Sequence, residues 1–244
     1  MTKVLDGRIA LVTGASRGIG YQTALGLAKA GAHVIALART VGGLEELDDE
    51  INAIGGSATL VPVDITDFDA LDRLGASIHE RWGRLDILIG NAGELGVATP
   101  LAQLKPSVFE EVFAVNVTAN FRLLRSLDPL LKASDAGRAL FVTSGAAKRS
   151  RAYLGPYAAS KAALERMIEA YARENKQTSV NANLIDPGTL RTKMRALYKP
   201  GEDPTTVTEP AAIADTMVRL VAPSNTHNGG CYNFVTGKWS LLDA

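Results

Sequence analysis

Three side chains that could carry proton transfer lie in one stretch of this sequence. Ser144 follows the apolar run at 139–142, and Tyr157 and Lys161 stand four residues apart in a segment rich in Ala, Leu, Glu, Arg and Met. Residues four apart share one face of a helix, with Cβ atoms roughly 5–6 Å apart. An ammonium lowers the pKa of a nearby phenol from about 10, and a serine hydroxyl can hydrogen-bond a carbonyl or alcohol oxygen. These residues predict a general acid/base site, although Tyr and Lys at this spacing also occur by chance on structural helices.

The surrounding sequence alternates short apolar runs with amphipathic segments. Strands are predicted at 8–13, 33–38, 58–63, 85–89, 139–142, 179–185 and 231–235. Helices are predicted at 18–30, 44–54, 66–82, 106–131, 157–175 and 210–221, with Thr66 or Asp67 capping the third. This alternation predicts an α/β fold, a Rossmann-type doubly wound parallel sheet of about seven strands with helices on both faces. We expect residues 1–244 to form a single domain, since no linker or repeat interrupts them.

The composition excludes several other classes of protein. Of 244 residues, 46% are hydrophobic and 21% are charged, and 26 Lys and Arg balance 26 Asp and Glu. A net charge of zero predicts no nucleic-acid partner and no membrane partner. Cys231 is the only cysteine, the three histidines are scattered, and no apolar run has signal-peptide or membrane-spanning length. We therefore expect no metal site, no disulfide within the chain and a cytoplasmic location.

A glycine-rich turn joins the first predicted strand to the first helix. Glycines let the backbone turn tightly and approach a pyrophosphate, and free N–H groups at a helix N-terminus bind its charge. The spacing Gly-x-x-x-Gly-x-Gly differs from the commonest dinucleotide fingerprint, but a strand before it and a helix after it favour dinucleotide binding. The candidate cofactor-binding residues here are Gly14, Ser16, Arg17, Gly18, Ile19 and Gly20.

The residues after this turn bear on the choice between NADP and NAD. A carboxylate about 20 residues on would bind the free 2′-hydroxyl of NAD. No Asp or Glu lies between Tyr21 and Leu44, and Arg39 ends the second predicted strand. Arg39 and Arg17 could grip a 2′-phosphate, because guanidinium suits bidentate phosphate recognition; the alternative is two solvated arginines. The sequence therefore favours NADP(H), with NAD(H) as the alternative.

Polar residues or glycines end the predicted strands at Thr13, Asp64, 91–93, Ser144 and 187–188. In doubly wound sheets, ligands bind beyond the carboxyl ends of the strands. These positions are distant in the sequence but would share one edge of the sheet. Loop chemistry alone could explain each of them, yet their common location favours one shared cleft.

Taken together, these motifs resemble the short-chain dehydrogenase/reductase family in its compact single-domain branch. The segment TGASRGIG at 13–20 matches the family's cofactor motif, and Asn91-Ala92-Gly93 matches its Asn-Ala-Gly segment. Ser144 with Tyr157-x-x-x-Lys161 matches the catalytic set, and Asn116 matches its fourth member. Pro187-Gly188-x-x-x-Thr192 matches the segment near the nicotinamide. The resemblance spans almost the whole chain.

The resemblance implies a role for each matched residue. Tyr157 would be the acid/base for a carbonyl/alcohol pair, and Lys161 would lower its pKa and hold the nicotinamide ribose. Ser144 would position the substrate oxygen, and Asn116 would help to hold a water in a proton relay. The family's other cofactor contacts fall on Asp64, Ile65, Asn91, Ala92, Gly93, Pro187, Gly188 and Thr192. The implied activity is an NAD(P)-dependent oxidoreductase that interconverts a small carbonyl compound and a secondary alcohol.

Two departures from the family pattern concern structure and substrate. Gly90 stands where the family usually has a further Asn, which would loosen a structural contact there. The expected substrate lid, about 189–209, is compact and interrupted by prolines, so expectations about steroid or acyl-chain substrates do not transfer. Basic residues near the site would draw in an anionic substrate, or are simply solvated: Lys148, Arg149, Arg151, Arg191, Lys193, Arg195 and Lys199.

The helices predicted at 106–131 and 157–175 carry apolar or small residues on more than one face. In the family these two helices form a dimer interface, so the resemblance implies a homodimer or homotetramer. A non-catalytic dinucleotide-binding sensor or scaffold is the rival function, and it would be expected to lose Ser144, Tyr157 or Lys161. A nucleotide-sugar epimerase is a further alternative, for which the chain looks too short.

Overall fold

The computed structural model describes residues 3–149 and 151–241. The described residues form one sheet of eight strands, in the order β3-β2-β1-β4-β5-β6-β7-β8. All neighbouring strands pair in parallel except β7 and β8. The strands are β1 Ile9–Thr13, β2 His33–Leu37, β3 Ser57–Val61, β4 Ile87–Gly90, β5 Arg138–Val142, β6 Asn181–Asp186, β7 Gly230–Asn233 and β8 Lys238–Leu241. The predicted doubly wound α/β fold is confirmed.

The eighth strand was absent from the prediction of about seven. β8 pairs antiparallel with β7 and forms one edge of the sheet. Its four residues, KWSL, are mostly exposed, so they form no apolar run that would indicate a strand. The connecting turn contains Gly237 at φ 67°, and the Gly237 N–H donates to the Asn233 carbonyl at 2.9 Å.

Helices cover both faces of the sheet. The α-helices are α1 Gly18–Lys29, α2 Val41–Ala53, α3 Phe68–Trp82, α4 Pro106–Phe113, α5 Ala119–Lys132, α6 Gly155–Glu174, α7 Lys193–Tyr198 and α8 Ala214–Val221. Short 3₁₀ turns lie at Leu101–Gln103, Gly145–Ala147, Pro204–Thr206 and Pro210–Ile213. One buried apolar cluster joins the sheet to α1, α2 and α8, and a second joins the opposite face to α3, α5 and α6. The Asp67 cap is confirmed, since its carboxylate accepts from the Ala70 N–H at 3.0 Å.

The segment predicted as one helix over 106–131 is interrupted. Between α4 and α5 the backbone forms a π-helical turn at Ala114–Thr118, with the buried Asn116 at its centre. A π-turn widens the helix by one residue, and such turns are frequent at functional sites. The residue types here are compatible with an ordinary helix, so no local sequence signal indicates the interruption.

Candidate active site

One cleft of about 930 Å³ lies at the carboxyl ends of the strands. The order of the sheet reverses between β1 and β4, which is where doubly wound sheets bind ligands. All but two of the predicted site residues line this cleft; Gly20 and Asn116 do not. The lining members are Gly14, Ser16, Arg17, Gly18, Ile19, Arg39, Asp64, Ile65, Asn91, Ala92, Gly93, Ser144, Tyr157, Lys161, Pro187, Gly188 and Thr192.

The glycine turn leaves the start of α1 open to a negatively charged group. Gly14 and Gly18 have φ values of 65° and 60°, which side chains rarely tolerate. Arg17 precedes the first residue of α1 without a side-chain cap, and the first turn carries no acidic residue. The first N–H groups of a helix lack internal partners, so this end can bind a phosphate.

Gly20 supports the turn instead of lining the cleft. A Cβ built at this position would overlap the Gly14 carbonyl and the Asn91 amide. The absence of a side chain therefore allows α1 to pack closely against β1 and the loop after β4. This is a packing role, and it differs from the predicted contact with the cofactor.

Asn91 and Thr13 join the glycine turn to the loop after β4. The Asn91 amide Nδ2 donates to the Thr13 carbonyl at 2.8 Å, and Thr13 Oγ1 accepts from the N–H groups of Asn91 and Ala92 at 2.9 and 3.0 Å. Thr13 was not among the predicted site residues. Its signal in the sequence was a hydroxyl at the end of an otherwise apolar strand, adjacent to the turn.

The acid/base set lies on the opposite wall of the cleft. Ser144 follows β5, and its Oγ accepts from the Ala146 N–H at 3.2 Å. Tyr157 lies in the first turn of α6, where Pro156 is accommodated because no internal N–H partner is needed. Burial raises the pKa of Tyr157 and the charge of Asp186 adds to this, while the Ser144 hydroxyl acts in the opposite direction.

Lys161 lies one turn further along α6 and is almost completely buried. Its Nζ donates to the Val142 carbonyl at 2.8 Å and stands 5.9 Å from the centre of the Tyr157 ring. Burial lowers the pKa of Lys161 to about 8, and the charge of Glu165 partly opposes this shift. Lys161 was expected to lower the pKa of Tyr157; burial is the largest influence on the phenol, and it raises that pKa.

Asn116 acts through protein contacts and not from the cleft wall. Its Nδ2 donates to the Glu94 carbonyl at 2.8 Å and to Ser160 Oγ at 2.9 Å, and its Oδ1 accepts from the Glu94 N–H at 2.8 Å. Both hydrogens of the amide group are therefore used. The side chain clamps the loop after β4 to α6, and it has no donor left for a water molecule.

Arg39 and Asp64 face each other at the far end of the cleft. Arg39 Nη1 lies 3.3 Å from Asp64 Oδ2, and both side chains are exposed. Partial burial tends to raise the pKa of Asp64, but hydrogen bonds from Thr66 and the charge of Arg39 hold it below its ordinary value. The carboxylate is thus ionised and shares the guanidinium, which leaves donors of Arg39 available to a ligand.

The basic residues around the substrate end of the cleft fall into two groups, those whose side chains are paired and those whose side chains are not. Arg191 Nε donates to Glu209 Oε2 at 3.0 Å, Arg195 Nε donates to Glu202 Oε2 at 2.6 Å, and Lys148 donates to Ser240. Arg151 and Lys193 line the cleft, and their side chains have no hydrogen-bond or ion-pair partner among the described residues.

Glu94 and Glu111 line the same cleft as these cations. With both signs of charge present, and with Arg191 and Arg195 paired, the preference for an anionic substrate has no support in the geometry.

Across residues 3–149 and 151–241, no group of three or more His, Cys, Asp or Glu side chains could hold a metal ion. In the same residues no helix has the length and apolarity needed to cross a membrane.

Comparisons with known proteins agree with this architecture. The model of the short chain dehydrogenase family matches residues 8–203. The chain is 37% identical to the Escherichia coli K12 protein named uncharacterized oxidoreductase YciK, over 93% of this chain and 91% of that protein.

Two similar crystal structures contain a dinucleotide. A short chain dehydrogenase from Shigella flexneri 2a str. 301 complexed with NADP superposes with a TM-score of 0.92 at 36% identity, covering 96% of this chain and 100% of that one. A short chain dehydrogenase from Escherichia coli CFT073 complexed with NADPH superposes with a TM-score of 0.89 at 37% identity, covering 96% of this chain and 99% of that one. This chain belongs to the short-chain dehydrogenase/reductase family of oxidoreductases.

Proposed function

We propose that this protein is an NADP(H)-preferring oxidoreductase that interconverts a small carbonyl compound and a secondary alcohol, with Tyr157 as the acid/base. The observation that carries this proposal is that one cleft joins an uncapped helix N-terminus, suited to a pyrophosphate, to Ser144, Tyr157 and Lys161. The NADP and NADPH in similar structures support the same assignment.

The residues of the cleft fit a dinucleotide along its whole length. The turn from Gly14 to Ile19 would bind the pyrophosphate at the start of α1, and Arg39 with Arg17 would bind a 2′-phosphate. Asp64 and Ile65 would lie at the adenine. The loops at 91–93 and 187–192, together with Lys161, would hold the nicotinamide half. When bound, the dinucleotide supplies or accepts the hydride.

Tyr157 would move the proton that accompanies the hydride. Because its pKa is raised, Tyr157 is protonated at neutral pH and is ready to donate to the oxygen of a carbonyl substrate. Ser144 would donate a hydrogen bond to the same oxygen and fix its position. Reduction leaves Tyr157 as a phenolate, which the Lys161 ammonium stabilises until a proton returns from solvent.

The segment 189–209 would form the substrate lid. Its two ends meet where the Arg191 N–H donates to the Thr208 carbonyl at 2.8 Å, and Leu190 and Thr208 form an isolated β-bridge. Between them, α7 places Met194, Leu197 and Tyr198 against the cleft. Leu197 is 72% exposed, so a substrate or a movement of this segment would be needed to cover it.

A homodimer or homotetramer forms part of the proposal. Phe109 on α4 and Phe121 on α5 are 40% and 49% exposed, which is unusual for such large apolar side chains. We expect a second copy of the chain to cover them. Light scattering at micromolar concentration should show an oligomer, and a purely monomeric sample would contradict this part of the proposal.

Replacement of Tyr157 tests the reaction. Tyr157→Phe should reduce the rate of carbonyl reduction by roughly 10²–10⁴-fold, measured on a carbonyl and alcohol panel with NADPH and NADH in parallel. Tyr153→Phe is the matched control, because Tyr153 lies in the loop just before α6 and is mostly exposed. An unchanged rate for Tyr157→Phe would refute the mechanism. NADPH binding to wild type without turnover on any panel member would favour the non-catalytic sensor.

A further inference from the structure

The buried carboxylate of Glu165 follows Tyr157 and Lys161 at the same four-residue spacing on α6, which puts the three residues on one face of the helix. Glu165 lies one turn beyond Lys161, a rise of roughly 6 Å, and is only 7% exposed. The Thr143 hydroxyl, itself 2% exposed, donates to Glu165 Oε1 at 2.8 Å. Thr143 directly precedes Ser144. The two residues thus connect the strand end that carries the serine to the helix that carries the tyrosine and the lysine.

We propose that Glu165, held by Thr143, is a positioning residue that keeps Lys161 charged and aligned for proton transfer at Tyr157. This inference rests on the function proposed above. It assigns a role to a carboxylate that does not line the cleft.

The physical reason is the cost of burying an ammonium. Burial favours the neutral form of Lys161, and among the described residues its one hydrogen-bond acceptor is the uncharged Val142 carbonyl. Glu165 is the group whose charge favours the ammonium. Without that charge, a larger fraction of Lys161 would be neutral near pH 8, and a neutral amine cannot stabilise a phenolate.

Titratable groups on neighbouring elements also lie around Glu165. Burial raises the pKa of Glu165, and the Thr143 hydrogen bond opposes this rise. Around Glu165 stand Lys148 after β5, Asp186 on β6, Arg166 on α6 and the buried Cys231 thiol on β7. Lys148 and Arg166 favour the carboxylate, while Asp186 disfavours it.

The partners of Glu165 differ from those of a purely structural carboxylate on the same helix. Glu169, one turn further on, is 8% exposed and forms ion pairs with Arg166 and Arg173. Among the described residues Glu165 has no such ion pair, and its one hydrogen bond comes from an uncharged hydroxyl. Glu169 therefore provides a matched control of equal burial, roughly 12 Å from Lys161 along the helix axis.

The first test reads the charge of Lys161 without any reaction. The pKa of Lys161 is measured by NMR titration of the ¹³C-lysine-labelled chain without cofactor, with Lys161→Met identifying the signal. In the wild type we expect a value of about 8. Glu165→Gln keeps the size of the side chain and should lower this pKa, whereas Glu169→Gln should leave it unchanged. An equal pKa in wild type and Glu165→Gln would overturn the proposal.

The second test is the pH profile of carbonyl reduction. If the pKa of Lys161 falls from about 8 to roughly 7, the rate of Glu165→Gln should fall about fivefold at pH 8 and by only ~10% at pH 6. A uniform loss across this pH range would indicate a structural role and would overturn the proposal. The two proposals can fail separately. If Tyr157→Phe loses its activity while the pH profile of Glu165→Gln stays that of the wild type, the role of Glu165 is refuted and the proposed reaction is not.

Changes at Thr143 provide a rescue experiment. Thr143→Val removes the hydroxyl and should shift the NMR titration of Lys161 in the same direction as Glu165→Gln, by a smaller amount. Thr143→Ser should restore the wild-type titration because it restores the donor. If Thr143→Val titrates as the wild type does, the part assigned to Thr143 is wrong.

Discussion

Phe141 occupies the space that a side chain at position 90 would need. Gly90 on β4 and Phe141 on β5 are direct partners in the parallel ladder, and a Cβ built on Gly90 would overlap Phe141 Cδ1. The missing side chain was expected to loosen a contact. Instead, a large and fully buried aromatic ring fills the site, next to the strand end that carries Asn91. Phe141 thus fills the space left by the missing side chain at position 90, where the family usually has Asn.

This pairing predicts a penalty for any side chain at position 90. Gly90→Ala should lower the free energy of unfolding by about 1–3 kcal/mol, because a well-packed core accommodates an added methyl only by moving its neighbours. Chemical denaturation measures this change. In Gly90→Ala/Phe141→Leu the smaller residue makes room, so the double variant should be more stable than the sum of the two single changes predicts. Strict additivity would show that the two positions do not compete for space.

Asn116 predicts a second stability effect, because its side chain satisfies three polar groups. Asn116→Ala leaves the Glu94 N–H and carbonyl without these partners and should cost roughly 2–4 kcal/mol. Ser160→Ala removes one of these bonds together with the bond that the Ser160 hydroxyl donates to the Tyr157 carbonyl at 2.9 Å, and it should cost roughly 1–2 kcal/mol. Asn116→Asp keeps an acceptor for the Glu94 N–H but loses both donors, so it should also be destabilised. Unfolding free energies equal to that of the wild type would contradict the clamp.

The alternation of apolar runs and amphipathic segments was enough to predict the α/β fold. It failed where the signal is not periodic. β8 is a short, mostly exposed edge strand, and Asn116 at the centre of the π-turn is held by tertiary hydrogen bonds to Glu94 and Ser160. Such contacts join residues distant in sequence, and a single sequence does not display them.

The same limit applies to the candidate site. Residues that carry reactive groups, such as Tyr157 and Lys161, could be found from their type and spacing. Residues that support them could not, because Thr143 and Glu165 become recognisable as a pair only when the fold brings them close. The order of the motifs placed the cofactor residues on one edge, but it did not distinguish Gly20, which packs, from Gly18, which lines the cleft.

Arg39 predicts the choice of cofactor. Arg39→Ala should weaken NADPH binding by roughly tenfold to hundredfold, the usual range for losing a charge-assisted hydrogen bond, and should change NADH binding little. Arg39→Asp should shift the preference toward NADH. Calorimetric titration of both dinucleotides measures these constants. Arg73→Ala is the control for net charge, since Arg73 is an exposed residue of α3 outside the cleft. An unchanged ratio of the two affinities would reject the role of Arg39.

The burial of Lys161 predicts that this residue lowers the stability of the fold although the reaction requires it. Its pKa is about 8 in the folded chain against 10.5 ordinarily, so the unfolded chain binds more protons between these two pH values. The cost of burying the ammonium is therefore fully present below about pH 8 and disappears as the pH rises toward 10.5. Lys161→Met removes this cost together with the hydrogen bond to Val142. At pH 7 the variant should be more stable than the wild type by roughly 1–2 kcal/mol while losing activity.

Urea denaturation at several pH values measures this balance. The stability advantage of Lys161→Met should be greatest at pH 7 and should shrink steadily above pH 8, because the wild-type lysine is then neutral when folded. The mutant Lys132→Met is a suitable control, since Lys132 is an exposed residue that pairs with Asp128 four residues earlier on α5. Its stability difference should stay small and should not follow this pH dependence. A Lys161→Met protein that is less stable than the wild type at pH 7 would show that the contacts of the ammonium outweigh the cost of its burial.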